Sequence, residues 1–360
     1  MKKFALLTLA LLFAVLSTIG AVNYSIDSSF VWHRNYSELA ELALSDNMVA
    51  VPTNYNERQY QVAIVDKMEH YPDTIVIGSS RGFYLGADIT GIDSIYNNCV
   101  SGACMADYYA LIGLYYKKGV IPSTVIVEVS PWCFYDGNGE SRWREVKQYK
   151  ESYFDFYRIV NGTEISDYNY FESSLSLFSL PYFQYNLLVL RDIGIKAFDG
   201  LPVKISDDPD EAADYPDGSF RYPSNLENES TTRTETVINT SSGPVTYHGS
   251  NNMTEISVSL SDDFENLISY LVENNVDVVL FMSPFSKTQS EYIFDNNTNL
   301  TFSLVEDYVL ALADKYGCTV IGGFDSREYG LEDDQFIDNM HMDKEAIRLI
   351  WTADYLRRDI

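Results

Sequence analysis

Two short polar motifs at opposite ends of the chain have the composition of a nucleophilic site. Gly78-Ser79-Ser80 closes the apolar run Thr74-Ile75-Val76-Ile77, and Asp338-Asn339-Met340-His341 stands just before the last helical pattern. A serine hydroxyl is a poor nucleophile at neutral pH and needs a base to take its proton. The usual base is a histidine held in one tautomer by a carboxylate, and a three-residue spacing lets one turn present both Asp338 and His341. On this reading Ser80 is the candidate nucleophile, His341 the base and Asp338 the orienting acid. Each motif alone is ordinary, since Gly-Ser-Ser is also a common turn and helix cap. Their conjunction, each beside an element able to present it, carries the inference.

Those elements follow from periodicity. Thr74–Gly78, Thr124–Val129, Val276–Phe281 and Cys318–Ile321 are short, largely apolar runs, the pattern of strands covered on both faces. Between them lie helical stretches. Cys104–Lys117 is rich in aromatics and ends at Gly119; Phe264, Leu267, Ile268 and Leu271 fall on one face with Ser261 as the expected N-cap; a further helix runs around Leu304–Leu312. Asp343 is placed to cap a last helix that carries Ala346, Leu349, Ile350 and Ala353 on one face. Alternating strands and helices predict an α/β fold, a three-layer flavodoxin-like parallel sheet. In such sheets sites form at the C-terminal ends of strands, and Ser80, Ser130, Pro284 and Asp325 all follow strand ends. Residues 136–256 interrupt the rhythm. Their first part is rich in Tyr and Phe and reads as helical, and 205–256 is polar and reads as long loops or a small insertion.

Composition narrows the setting. Among 360 residues, 52 acidic side chains stand against 25 basic ones, a net charge of −27, which excludes a nucleic-acid partner of the usual basic kind. Lys2 and Lys3 precede the uncharged run Phe4–Val22, the pattern of an export signal or of an anchor with its positive end inside. Residues 1–23 are therefore expected to be a signal peptide or membrane anchor, with membrane contact through residues 4–22. Residues 24–360 are expected to be one domain outside the cytoplasm. Cys99 and Cys104 are close enough in sequence to bridge one loop, with buried free thiols as the alternative; Cys133 and Cys318 complete the set of four. No metal-ligand spacing and no phosphate-binding glycine loop is present, so no cofactor is implied. His33, His70 and His248 lie in leader or loop sequence and read as surface residues, and the 28 tyrosines read as core mass or as platforms for sugars.

Gly78-Ser79-Ser80 after the first strand, with Asp338-x-x-His341 before the last helix, resembles the SGNH, or GDSL-type, hydrolase superfamily. Asn98–Gly102, running into Ala103, is similar to the family's second block, whose glycine donates a backbone N–H to the oxyanion; that role maps onto Gly102. Ser130-Pro131-Trp132 and the N-terminal apolar run look like the membrane-anchored branch that modifies cell-envelope polymers, including D-alanyl transfer and alginate O-acetylation proteins. The likeness covers 74–135 and 276–357. It implies an extracytoplasmic serine-dependent acyltransferase or esterase acting on an envelope or extracellular polysaccharide. The candidate oxyanion or substrate-binding residues are Gly102, Arg81, Ser130 and Trp132, and the resemblance also implies that a membrane-bound O-acyltransferase can be a partner. Arg81 also reads as an ordinary solvated or salt-bridged residue, and Trp132 as packing.

One departure stands out. The family's third block supplies an oxyanion asparagine, whereas here the strand ends in Glu128-Val129-Ser130-Pro131-Trp132 with no asparagine in register. That favours, as an alternative, a non-catalytic binding or assembly partner on the same fold. The acidic, Asn- and Thr-rich insertion suggests a further alternative, a cell-surface structural or adhesion protein.

Overall fold

The computed structural model describes residues 2–27, 36–52, 55–163, 176–199, 203–227, 230–241, 243–295 and 301–355. Among them run strands β1 (Val49–Ala50), β2 (Thr74–Ile77), β3 (Ile95–Asn97), β4 (Thr124–Glu128), β5 (Ala213–Asp214), β6 (Phe220–Arg221), β7 (Asp277–Met282) and β8 (Thr319–Gly322). Five form one sheet in the order β3-β2-β4-β7-β8, and every pairing in it is parallel. In chain order that is 2-1-3-4-5, the flavodoxin-like arrangement, with its switch point between β2 and β4.

Successive strand side chains point to opposite faces, so a continuously apolar strand needs cover on both. Ile75, Ile77, Val125, Val127, Val278 and Leu280 share one core with the helices Glu57–Lys67, Met105–Lys117, Val258–Glu273 and Thr301–Tyr316. Val76, Ile126, Val279, Phe281 and Ile321 share the other with the last helix, Lys344–Tyr355, and with Leu85 and Ile89. The result is the expected three-layer α/β fold.

Details differ from the sequence reading, each for a physical reason. The helix bearing Phe264 begins earlier, at Val258. Its cap is Ser257, whose hydroxyl accepts from Leu260 N–H and donates to Asp136, so the cap also ties this helix to the turn after β4. Ser261 lies inside the first turn. On the last helix the buried face is Ala346, Ile347, Ile350 and Trp351, and Leu349 is exposed; both sets satisfy a helical period, and the second buries an indole. The polar stretch 205–256 is not all loop. It holds the helix Ser230–Thr240 and strands β5 and β6, which join β1 of the leader in a small antiparallel sheet. Two-residue strands have no readable period. All four cysteines are free, so Cys99 and Cys104 form no bridge.

The N-terminal helix, Lys2–Ile26, contains an 18-residue stretch of mean hydropathy 2.4 and is long and apolar enough to cross a membrane as an anchor or signal. Only Ile19, Gly20, Asn23 and Ile26 of it are buried against the rest of the chain.

Candidate active site

The turn after β2 is built around one glycine. A Cβ at Gly78, where φ is +150°, would lie 2.5 Å from the Glu128 Cβ, so only glycine lets the ends of β2 and β4 approach this closely. The chain then enters a single 3-10 turn, Ser80–Gly82, capped by Ser79. Asn97, at the end of β3, donates its amide to the Gly82 and Leu85 carbonyls and holds the outgoing chain. These constraints leave Ser79 wholly buried and Ser80 partly exposed at the switch point.

His341 and Asp338 come from the turn before the last helix. The Asp338 carboxylate accepts the Met340 and His341 N–H groups at 2.9 Å each, an Asx-type turn that fixes the acid against its own histidine. The His341 Nδ1 lies 2.8 Å from Asp338 Oδ2, and its Nε2 lies 2.8 Å from Ser80 Oγ. The carboxylate holds the ring proton on Nδ1, which leaves Nε2 free to accept the serine proton. Burial alone would raise the Asp338 pKa; the charge and hydrogen bonds of His341, with the two backbone donors, outweigh it and hold the carboxyl below its ordinary range. The three residues read together from opposite ends of the sequence thus form one continuous hydrogen-bonded series.

Arg81 is also buried and does not face solvent. Its guanidinium donates to the carbonyls of Ser283, after β7, and Met340, inside the Asp-x-x-His turn, and stacks 4.3 Å from the Phe285 ring. Burial lowers its pKa to about 10 against the opposing pull of Glu128 and Asp338, so it stays cationic at neutral pH. This arginine staples the histidine turn to the strand that presents the serine. Its Nη1 has no partner among the described residues.

The turn after β4 is different in kind. Ser130 is buried and donates to Glu128 Oε1 at 2.7 Å, and its hydroxyl lies 3.1 Å from that of Ser79. Trp132 is buried, donates to the Ala103 carbonyl, and packs edge-on to Tyr247. Neither is presented to the open side of Ser80. Glu128, which sequence reading passed over, is wholly buried and accepts the Ser79 N–H at 2.7 Å. The signal for it was a charge closing the apolar run Val125-Ile126-Val127.

Gly102 adopts φ +60°, and a Cβ there would meet Arg142 Nη2 at 2.6 Å, His248 Nε2 at 2.7 Å and the Tyr247 hydroxyl at 2.8 Å. Its loop is held beside the serine turn by Val100 N–H donating to the Gly78 carbonyl. Glu57 accepts from the Ser101 N–H and hydroxyl, and Arg142 donates to the Ser101 carbonyl. Among the described residues the backbone N–H groups of Ser80 and Gly102 donate to no other group. Asn138 donates to the Trp132 carbonyl and accepts from Glu140 N–H, so it is committed to its own turn.

His248 departs from the surface reading. It is partly buried at φ +48°, its Nε2 has no hydrogen-bond partner among the described residues, and burial lowers its pKa. His70 is exposed, and His33 lies outside the described residues. Two residues beyond Gly102, Cys104 enters the wall of a cavity of about 230 Å³ lined also by Tyr109, Tyr135, Tyr153, Tyr157 and Glu140. Among the described residues no cluster of His, Cys, Asp and Glu is arranged to hold a metal. Compared with known proteins, the chain matches no family model and no curated protein.

Proposed function

We propose that this protein is an extracytoplasmic serine-dependent acyltransferase or esterase of SGNH type, acting on a cell-envelope or extracellular polysaccharide. The observation that carries the reading is the Ser80–His341–Asp338 series at the topological switch point, with hydrogen-bond distances of 2.8 Å on either side of the imidazole. In the first step His341 Nε2 takes the Ser80 proton as Oγ forms a bond to the acyl carbon. The donor's alkoxide or thiolate leaves and takes that proton from His341. In the second step a water or sugar hydroxyl gives its proton to His341 and attacks the acyl-enzyme, and Ser80 leaves with the proton restored. Asp338 stays ionised throughout and balances the imidazolium. Ser80 and Gly102 N–H groups are the oxyanion donors in both steps. No cofactor is needed. The apolar helix Lys2–Ile26 supports a membrane-anchored or secreted location facing outward, where a membrane-bound O-acyltransferase is a fitting acyl supplier.

The test is labelling of the detergent-solubilised full chain with a fluorophosphonate. Labelling that disappears in both Ser80→Ala and His341→Ala supports the reading. A folded wild-type protein that does not label overturns it. The missing asparagine after β4 favours the second reading, a non-catalytic assembly partner on this fold; retained biological function in Ser80→Ala would support that one.

A further inference from the structure

The loop that follows β3 leaves one backbone donor idle. The N–H groups of Asn98, Cys99, Val100, Ser101, Ala103 and Cys104 all donate to described partners. The N–H of Gly102, among them, donates to none of the described residues. Gly102 is a buried residue, and buried backbone N–H groups are rarely left without an acceptor. The loop is not slack. Val100 ties it to Gly78, immediately before the two serines, and the Ala103 carbonyl accepts from Trp132. A loop this firmly held, with every neighbouring donor satisfied, keeps the one remaining N–H available to a ligand.

How that donor is aimed follows from its peptide. The Ser101 C=O and the Gly102 N–H belong to one planar trans unit and point in opposite directions. Arg142 Nη2 donates to the Ser101 carbonyl at 2.8 Å. The arginine is itself fixed: its Nε lies 3.0 Å from Glu140 Oε1 and its Nη2 2.6 Å from Glu140 Oε2, and the Glu140 side chain is only 5 % exposed. Glu57 accepts the Ser101 N–H and hydroxyl. Both sides of Ser101 are therefore held, and with them the direction of the Gly102 N–H. The bond from Arg142 is also charge-assisted. A cation on the carbonyl oxygen draws electron density from the amide, and hydrogen bonds in series strengthen one another by about 10–30 %. The fit leaves no room for a side chain, since a Cβ at Gly102 would stand 2.6 Å from Arg142 Nη2.

We infer that Arg142 is a positioning residue: it aims and polarises the Ser101–Gly102 peptide, so that the Gly102 N–H meets a developing oxyanion already oriented. The inference rests on the proposed reading of Ser80 as nucleophile and of the Gly102 N–H as an oxyanion donor. It gives the region after residue 136, which interrupts the alternation of strands and helices, a part in the chemistry. Strand β4 ends with no asparagine in register, so more of the stabilisation falls on the backbone donors that remain. Lysine would not reproduce the device, because an ammonium lacks the planar fork that holds Glu140 and the carbonyl together.

The test follows the rate of fluorophosphonate labelling over a range of probe concentrations in the detergent-solubilised full chain, for the wild type, Arg142→Ala and Arg142→Lys. The phosphoryl oxygen of the probe takes the place of the oxyanion. A weakened donor should cost less than a deleted one, so Arg142→Ala is expected to lower the limiting rate by about 10- to 100-fold with the half-saturating concentration little changed. The Arg142 side chain is 42 % exposed, so added guanidinium at millimolar concentration can reach the vacated place. It should restore part of the rate, and sodium chloride at the same concentration should not. Arg142→Lys should also be slow at an unchanged half-saturating concentration, and it carries the test if Arg142→Ala does not fold. A folded variant that labels at the wild-type rate overturns the inference. So does a slow Arg142→Ala that guanidinium does not rescue, since an arginine that only stabilises the fold would behave that way. A wild type that does not label removes the reading of Ser80 and this inference together; a wild type that labels, beside variants that label as fast, removes this inference alone.

Discussion

The turns after β2 and β4 stand side by side at the same sheet edge and have opposite uses. Both follow parallel strands in register, Ile77 opposite Val127, and both carry serines. After β2 the chain tightens into one 3-10 turn and exposes Ser80 to His341. After β4 it turns inward, and Ser130, Glu128 and Trp132 are all buried. Glu128 reaches across the gap to bind the N–H of Ser79, the residue before Ser80. One strand end presents Ser80 to His341 and the other supports that turn, so two serines at equivalent strand ends are not equivalent residues. What separates them is the glycine: at Gly78 the missing side chain gives its space to Glu128.

The largest effect that separates the two turns is expected at Ser80. Ser80→Ala should lower ester hydrolysis by about 10³-fold or more and abolish fluorophosphonate labelling, with thermal stability essentially unchanged, because its hydroxyl is partly exposed. Ser130→Ala should leave labelling intact and cost about 1 kcal/mol in denaturant titration through its lost bond to Glu128. If both serines abolished labelling equally in folded proteins, the division between the two strand ends would be wrong.

Asp338→Asn comes next. It keeps the shape of the histidine turn and removes the charge that selects the Nδ1 tautomer, so the labelling rate should fall by about 10²- to 10⁴-fold. Because the Asp338 carboxyl sits below its ordinary range in the folded state, the wild type should keep this part of its stability above the unfolded carboxylate pKa and lose it only as pH falls through the lower folded value. A wild-type activity that failed in step with Asp338 protonation near neutral pH would contradict the geometry.

Glu128→Ala tests the support. It leaves the buried Ser79 N–H without an acceptor and removes a carboxylate whose charge acts on the Arg81 cation, so it should destabilise by about 3–5 kcal/mol. Glu128→Gln keeps an acceptor and should cost less. A Glu128→Gln protein of wild-type stability that nevertheless failed to label would move Glu128 from support into the chemistry itself.

The part of the site most legible in the sequence was the part made by local turns. Gly78-Ser79-Ser80 and Asp338-x-x-His341 are each short enough for one turn to fix them, and the alternation of apolar runs placed Ser80 at a sheet edge with Ser130, Pro284 and Asp325, and the Asp338 turn before the last helix. What was not legible depends on contacts made across the sheet. Nothing local marks Glu128 as the acceptor for Ser79, or Arg81 as the staple between Ser283 and Met340. His248 looked like loop surface, since its burial comes from Trp132 and Glu140, more than a hundred residues earlier in the chain. The small sheet joining β1 to β5 and β6 was hidden for the same reason: its strands are too short to carry a period, and only their pairing defines them.

A third strand end sharpens the comparison by reversing one term. After β8, Glu306 accepts the Phe324 N–H much as Glu128 accepts that of Ser79. Glu128 has the Arg81 cation nearby, but the charges acting on Glu306 are those of Glu328, Asp325 and Asp307. Burial first, and those acids second, push Glu306 up to about 7. A carboxyl with a raised folded pKa binds its proton more tightly folded than unfolded. Its contribution is full below the unfolded pKa near 4.5 and is lost as pH rises through about 7. Glu306→Gln should therefore match the wild type at pH 5 and exceed it at pH 8 by on the order of 2 kcal/mol, after allowance for solvent screening. Denaturant titration at the two pH values reads this directly. An equal effect at both would mean that Glu306 stays ionised, and that its hydrogen bond to Phe324 outweighs the surrounding negative charge.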